Sequence, residues 1–241
     1  MKYDLFPVQV VRYICKDISS NDRKNMMDSV DLQIKKGHYQ KGYLTPKYQT
    51  EYTLFQDNCP SYWQKLKKSF YDACHYYIKE TGFVGSSYGG TGYTFTESEA
   101  WAFKSYKSLN ESQEEIRNTF GIYSPWHDHS PAYLAGVYYL KDPGDGTTGG
   151  TDFHNPVITR RDVIEVPPVQ NSWIIFPGWL QHRSVTLDVE DTRYVVAANM
   201  YSKMQNQSPY NDWEEETPQS PSMKNLIFQI MDYCGLLLLK G

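Results

Sequence analysis

Two histidines separated by one residue are the first candidates for chemistry. His127 and His129 occur in the segment SPWHDHSP. In an extended chain, residues i and i+2 point to the same side, so both imidazoles can face one centre while Asp128 faces away. A third histidine, His182, ends the apolar segment FPGWLQH, and a sheet that folds back on itself can bring it to the pair. The three histidines together predict a metal site.

Three imidazoles suit two kinds of metal centre. An octahedral Fe(II) held on one face by three protein ligands keeps three positions for a chelating cosubstrate and dioxygen. A tetrahedral Zn²⁺ held by three imidazoles keeps one position, for water. The alternative to both is that these histidines are ordinary surface or core residues.

A basic residue follows the third histidine at a spacing that suits an anion site. Arg193 opens the apolar segment RYVVAAN, eleven residues after His182. Because side chains alternate along a strand, Arg193 is predicted to share a face with Asn199. A guanidinium on that face can bind a carboxylate through two parallel hydrogen bonds. The alternative is a surface ion pair with the acidic segment that precedes Arg193.

The elements that must position these residues are predicted to be short strands. Runs rich in Val, Ile, Tyr and Trp recur in the second half of the chain, and turns with Gly, Pro and Asp separate them. Many short strands with polar turns and no helix between them are typical of an antiparallel barrel or jelly roll. The predicted strands are residues 5–14, 133–140, 157–164, 172–176, 184–187 and 194–200.

Two amphipathic helices are predicted ahead of these strands. Apolar residues recur at helical spacing within residues 22–36, with Asn21 as the N-cap, and again between Pro60 and Gly82. Both helices are expected to cover a core. The glycine-rich stretch at 82–97 predicts a loop or an irregular hairpin.

The whole chain of 241 residues is predicted to be one domain. Its parts are helical support at about 20–80, a jelly-roll core at about 98–202, and a C-terminal tail and helix at 205–241. Within the tail, residues 205–222 are polar and rich in proline, which predicts a loop.

Composition and charge exclude several classes of partner. Lys and Arg number 24 against 28 Asp and Glu, a formal net charge of -4, so neither duplex nucleic acid nor a membrane surface is expected to bind. Four widely spaced cysteines form no CxxC pair, and the N-terminus has no signal-peptide pattern. We therefore expect a reduced, cytoplasmic protein whose substrate is a small molecule or a side chain. The oligomeric state stays open.

Several segments together resemble the iron(II) and 2-oxoglutarate-dependent oxygenases. The matching pieces are LFPVQV, SPWHDHSPAYLAGVYYL, GGTDFHNP, NSWIIFPGWLQH and RYVVAAN, which span about residues 5–200. The chain looks most like an uncharacterised group of these oxygenases from marine bacteria and phages. FPxWLxH combined with a histidine pair ahead of a GVYYL strand is more specific than any piece alone. The resemblance implies a mainly β fold with flanking helices, the double-stranded β-helix, which is a cupin-like jelly roll.

The resemblance also implies cofactors and roles for single residues. His127 matches the first metal ligand, His182 matches the distal ligand, and Arg193 matches the residue that binds the far carboxylate of 2-oxoglutarate. The implied cofactors are Fe(II) and 2-oxoglutarate. The implied reaction hydroxylates a substrate and releases succinate and carbon dioxide.

One position departs from the pattern of the superfamily. His129 stands where Asp or Glu is usual, so the third ligand is expected to be His129, with Asp128 and Asp152 as alternatives. Tyr139 is a candidate hydrogen-bond partner of the cosubstrate, with core packing as an equal alternative. Asn199 is a candidate partner for a metal-ligand imidazole or for the substrate.

Three functions remain in competition at this point. The first is the 2-oxoglutarate-dependent oxygenase. The second is a cupin-like dioxygenase with three histidines that does not use 2-oxoglutarate, in which Arg193 binds a carboxylate of the substrate. The third is a non-catalytic jelly-roll binding module. The spacing of Arg193 favours the first function, and the missing carboxylate ligand favours the other two.

Overall fold

The computed structural model describes most of the chain up to residue 204. The described residues are 8–37, 40–41, 47–82, 93–105, 126–142, 149–155, 163–185 and 191–204. All of them belong to one compact unit, Met1–Gln205. The loop predicted at 205–222 and the terminal helix lie outside the described residues, and the single domain stays a prediction.

The described residues form two helices and ten strands. In chain order these are β1 (Val11–Ile14), α1 (Ser20–Lys35), β2 (Gln40–Lys41), β3 (Lys47–Gln49), α2 (Ser61–Thr81), β4 (Tyr93–Ser105), β5 (Leu134–Lys141), β6 (Thr151–His154), β7 (Val163–Val166), β8 (Ser172–Pro177), β9 (His182–Ser184) and β10 (Arg193–Met204). Neither helix combines the length and the apolar character that a membrane span requires.

The strands pair into two antiparallel sheets. The larger sheet has the order β1-β8-β5-β10-β4-β3-β2, and the smaller has the order β7-β6-β9. A bridge between His127 and His182 continues the smaller sheet on the far side of β9. Neighbours such as β4 and β10 are distant in the chain, which is the connectivity of the predicted jelly roll.

The larger sheet buries side chains on both faces. On one face, Tyr138 and Trp173 pack in a core with the helices, where Trp173 lies 4.8 Å from Phe70 of α2 between ring centroids. On the other face, Tyr139 belongs to a second core, which also includes Phe153 of the smaller sheet. Alternation along each strand produces this division. The second core holds the two sheets together, and the three histidines lie at its edge.

The two helices occur where helical spacing predicts them, but the cap of α1 was predicted wrongly. Ser19, not Asn21, is the N-cap: its hydroxyl accepts a hydrogen bond from the backbone N–H of Asp22 at 3.0 Å, and the Asp22 carboxylate accepts one from the N–H of Ser19 at 3.1 Å. A serine three residues before an acidic residue forms this reciprocal cap. Helix α2 ends at Gly82, whose φ of 63° is the left-handed conformation that glycine adopts without strain.

Strand β4 begins within the stretch 82–97, which was predicted to be a loop or an irregular hairpin. Residues 93–97 belong to β4, whose pairing with β10 runs from Tyr93 opposite Met204 to Ser105 opposite Arg193. Residues 83–92 lie outside the described part of the chain. The strand contains two Glu residues, Glu97 and Glu99, and its pairing with β10 outweighs their weak local preference.

The other strand predictions differ from the structure mainly at their ends. Strands β5, β8 and β10 overlap the predicted segments closely. Strand β9 spans His182–Ser184 and shares only residue 184 with the predicted segment 184–187, because Phe153 and His127 pair with His182 on its two sides. The predicted segment 5–14 contains β1, which begins only at Val11, and the predicted segment 157–164 overlaps β7 at residues 163–164. Residues 5–7 and 157–162 lie outside the described part of the chain.

Candidate metal centre

Backbone hydrogen bonds hold the three histidines at one end of the jelly roll. The N–H of His127 donates to the carbonyl of His182 at 3.1 Å, and the N–H of His182 donates back at 2.9 Å. The N–H of His129 donates to the carbonyl of Gly178 at 2.7 Å. A Cβ at residue 178 would lie 2.0 Å from the carbonyl oxygen of Ala132. Glycine is therefore required for the turn after β8 to approach the histidine segment.

The three imidazoles converge. The candidate ligand atoms of His127, His129 and His182 all lie within 4.8 Å of one another. The ring centroids of His127 and His182 are 4.4 Å apart, and those of His129 and His182 are 4.9 Å apart. His129 and His182 are buried and His127 is exposed. This arrangement can hold one metal ion and leaves one ligand accessible from solvent.

Burial keeps two of the rings neutral, which is the form that binds metals. It lowers the pKa of His129 to about 4, and it lowers the pKa of His182 well below its usual value. The neighbouring histidines lower the pKa of His182 further. The Nδ1 atom of His182 lies 3.0 Å from the carbonyl oxygen of Leu180. A carbonyl only accepts hydrogen bonds, so Nδ1 carries the proton and the lone pair of Nε2 is available to a metal.

The two carboxylates considered as third ligands have other partners. The buried Asp152 accepts a hydrogen bond from Nε of Arg183 at 3.0 Å, which also forms an ion pair. The exposed Asp128 accepts a hydrogen bond from the backbone N–H of Ser130 at 2.9 Å, which lowers its pKa. Within the described residues, the group that converges contains His129 and neither of these carboxylates.

A cavity of about 530 Å³ lies beside the histidines, and Arg193 lines it. Arg193 is only 3% exposed, and its Nη1 donates to the carbonyls of Gly149 and Val185. Its Nε is buried without a hydrogen-bond partner in the described part of the chain. The alternative of a surface ion pair is wrong for Asp191, which binds Lys141 at 2.7 Å. A buried guanidinium with an unused N–H is suited to receive an anion.

The structure separates the two neighbouring tyrosines of β5. Tyr139 lines the cavity, and its hydroxyl lies 2.8 Å from Oγ1 of Thr151. Burial raises the pKa of Tyr139, so the hydroxyl keeps its proton. Tyr138 points to the helical side, where its hydroxyl donates to Oδ1 of Asn171 at 2.7 Å. Tyr139 thus lines the cavity beside Thr151, whereas Tyr138 is a core residue.

Sequence reasoning missed one wall of the cavity because it missed β4. Glu99, Trp101 and Phe103 alternate along this strand and line the cavity. The ring of Trp101 stacks on His129 with 5.5 Å between centroids, and Tyr52 lies 4.4 Å from Trp101 on the same measure. The alternation of Glu99, Trp101 and Phe103 with two alanines is a period-two signal that could have identified the strand.

The chain is similar to known proteins in its three-dimensional structure. No family model and no curated sequence matches it. Among solved structures, a prolyl-4-hydroxylase from Pseudomonas putida is similar, with a TM-score of 0.52 and 10% identity over 81% of this chain and 94% of that one.

Two further solved structures are similar over comparable lengths. One is the epimerase SnoN from nogalamycin biosynthesis in complex with Fe³⁺, alpha ketoglutarate and nogalamycin RO, with a TM-score of 0.56 and 9% identity over 80% of this chain and 79% of that one. The other is dioxygenase for auxin oxidation 1 from Arabidopsis thaliana in complex with 2-oxoglutarate, with a TM-score of 0.52 and 16% identity over 81% and 84%.

At these identities the likeness concerns the fold. The neighbours are Fe(II)- and 2-oxoglutarate-dependent oxygenases with a jelly-roll fold. The predicted fold class is confirmed: the chain is mainly β with few helices, and it shares the double-stranded β-helix of these oxygenases.

Proposed function

We propose that this protein is an Fe(II)- and 2-oxoglutarate-dependent oxygenase that hydroxylates a small molecule or a side chain. The observation that carries the proposal is the pairing of two features in one cavity. The three imidazoles line it, and so does a buried guanidinium whose Nε has no hydrogen-bond partner in the described part of the chain. A metal centre next to a carboxylate receptor is what a chelating keto acid requires.

The donor set fits an iron site of this kind. Imidazole is a good ligand for Fe(II), and three ligands from one side leave positions for further ligands. His127, His129 and His182 would hold the metal, with His182 already oriented by its hydrogen bond to Leu180. Because all three ligands are neutral, the site is one charge more positive than one with a carboxylate. An anionic cosubstrate then contributes more to metal retention.

The other end of the cavity fits the far carboxylate of 2-oxoglutarate. Arg193 would bind this carboxylate through its unused N–H. The hydroxyls of Tyr139 and Thr151 share one proton in their own hydrogen bond, so the pair would donate one further hydrogen bond. Val195 and Val137 line the cavity as well and give it an apolar side. An ionic hydrogen bond gains strength in such surroundings, because little water competes for it.

Iron with 2-oxoglutarate, when bound, supplies oxidative decarboxylation of the keto acid coupled to oxygen insertion into a C–H bond. The chain itself contributes ligand geometry, a carboxylate receptor and an apolar wall, which includes Val137 and Val195. The fold shared with structures that contain Fe³⁺ and alpha ketoglutarate supports this reading.

The free thiols of Cys15, Cys59 and Cys74 support a cytoplasmic location.

An anaerobic titration tests the proposal. Purified protein is given Fe(II) and then 2-oxoglutarate, and the visible absorption band of the iron-to-keto-acid charge transfer is followed. We expect the band to appear with saturation at one equivalent of each. Iron binding without a band would favour the three-histidine dioxygenase that does not use 2-oxoglutarate. Failure to bind iron would favour the non-catalytic binding module.

A further inference from the structure

A chain of hydrogen bonds connects His129 to a carboxylate on the neighbouring strand. Nδ1 of His129 lies 2.5 Å from Oδ1 of Asn199. Nδ2 of Asn199 donates to Oε1 of Glu99 at 2.8 Å, and the hydroxyl of Tyr201 donates to the same oxygen at 2.7 Å. Asn199 and Glu99 are directly opposite each other in the pairing of β10 with β4. The contact is therefore built into the register of the sheet.

Glu99 determines the orientation of the Asn199 amide and, through it, the nitrogen of His129 that carries the proton. An ionised carboxylate only accepts hydrogen bonds, so Asn199 must turn its NH₂ group to Glu99. The amide oxygen then faces His129, and this oxygen also only accepts. His129 must carry its proton on Nδ1, and Nε2 is left with the lone pair. Asn199 is thus the partner of a candidate metal-ligand imidazole, which is one of the two roles that its sequence position suggested.

We infer that Glu99 is a positioning residue of the metal centre, acting through Asn199 to hold His129 in the tautomer that binds metal through Nε2. The inference rests on the metal site of the proposed function and does not depend on 2-oxoglutarate. Where a carboxylate ligand is usual, this site has His129, and the carboxylate of Glu99 is connected to it through Asn199. Its negative charge polarises the Nδ1–H bond and makes Nε2 a better donor to a cation.

The surroundings strengthen this effect. His129 is 8% exposed and Asn199 is 6% exposed, so little water screens the chain between Glu99 and the imidazole. Trp101 stacks on the face of His129 with an angle of 26° between the rings. The stacking restrains rotation of the imidazole, and the hydrogen bond to Asn199 selects which nitrogen faces the centre.

The tautomer can be measured directly in metal-free protein. Long-range ¹H–¹⁵N spectra of the histidine rings distinguish a protonated Nδ1 from a protonated Nε2. We expect His129 of the wild-type protein to be protonated on Nδ1 and the Glu99→Gln variant to show a mixture. A glutamine can donate as well as accept, so it no longer dictates the orientation of Asn199. A wild-type His129 protonated on Nε2 would overturn the inference.

Metal affinity is the second measurement, with Co²⁺ as the probe. We expect Glu99→Gln to raise the dissociation constant for Co²⁺ roughly tenfold, the lower end of the range for second-shell changes. The matched control is Glu97→Gln, which removes the same charge from an exposed position on the same strand. Equal Co²⁺ affinity in Glu99→Gln and Glu97→Gln would overturn the inference, because a general charge effect would then account for both.

The two proposals fail in distinguishable ways. If Glu99→Gln weakens Co²⁺ binding but wild-type protein shows no charge-transfer band with 2-oxoglutarate, the oxygenase proposal fails and the role of Glu99 stands. If the band appears and Glu99→Gln binds Co²⁺ as the control does, the oxygenase stands and the role of Glu99 fails. Should Glu99→Gln not fold, the wild-type tautomer alone decides.

Discussion

The polar side chains at the start of β10 and further along it differ in whether their hydrogen bonds are satisfied. At the start of β10, Arg193 is buried with an N–H that has no partner in the described part of the chain. Six residues later on the same face, Asn199 uses both of its polar atoms, one to His129 and one to Glu99. An unused buried donor costs free energy unless a ligand arrives, whereas a satisfied one makes a neighbour rigid. Under the proposed function, the strand therefore offers a carboxylate receptor at one end and a support for His129 at the other.

The largest effect is expected when the metal centre loses one of its candidate ligands. His182→Ala removes a buried imidazole that is close to both of the other two histidines. We expect Fe(II) and Co²⁺ affinity to fall more than 100-fold and 2-oxoglutarate turnover to vanish, because two ligands remain. Isothermal titration with Co²⁺ and a succinate assay measure the two losses. The control His75→Ala removes an exposed histidine of α2. Wild-type turnover in His182→Ala would contradict the site.

A smaller effect, confined to one ligand, is expected at the receptor end. Arg193→Leu removes the guanidinium and leaves the histidines in place, so Co²⁺ affinity without cosubstrate should stay within about twofold. The dissociation constant for 2-oxoglutarate should rise roughly 10- to 100-fold, the equivalent of losing a charged hydrogen bond. Titration of the charge-transfer band measures it.

The charge-conserving variant Arg193→Lys tests the geometry of that receptor. It should recover only part of the affinity, because lysine cannot present the planar fork of a guanidinium. If Arg193→Leu instead lost Co²⁺ binding and kept 2-oxoglutarate binding, the assignment of Arg193 as the carboxylate receptor would be wrong. Circular dichroism controls for folding, since Nη1 of Arg193 also joins the backbone of Gly149 to that of Val185.

The smallest effect on metal binding is expected from the carboxylates that were alternative ligands. Asp128→Asn and Asp152→Asn should each leave the Co²⁺ dissociation constant within about twofold of the wild-type value. The two carboxylates already accept hydrogen bonds from Ser130 and Arg183, respectively. Asp152→Asn should instead lower the free energy of unfolding by about 1–3 kcal/mol, since Arg183 loses a buried charged partner. Urea denaturation measures this change. A large loss of Co²⁺ binding in either variant, with His129→Ala unaffected, would assign the third ligand to a carboxylate.

Much of the centre could be predicted because it depends on alternation within one segment. The spacing of His127 and His129 and the shared face of Arg193 and Asn199 follow from a period of two. Residues brought in by β4 were missed, since Glu99 and Trp101 gain their role only from the strand opposite. Likewise, the choice of Ser19 over Asn21 as a cap depends on where the first turn of α1 begins, which short-range patterns leave uncertain by one or two residues.

By itself, the sequence determined which side chains can do chemistry and which of them share a face, because neighbours along a strand are related by covalent geometry. Only the tertiary structure decided which of Tyr138 and Tyr139 faces the cavity, that His182 pairs with His127, and that Glu99 lies opposite Asn199. These relations join residues far apart in the chain, and the packing and register of the two sheets set them. A shift of one residue would turn each of these side chains to the opposite face.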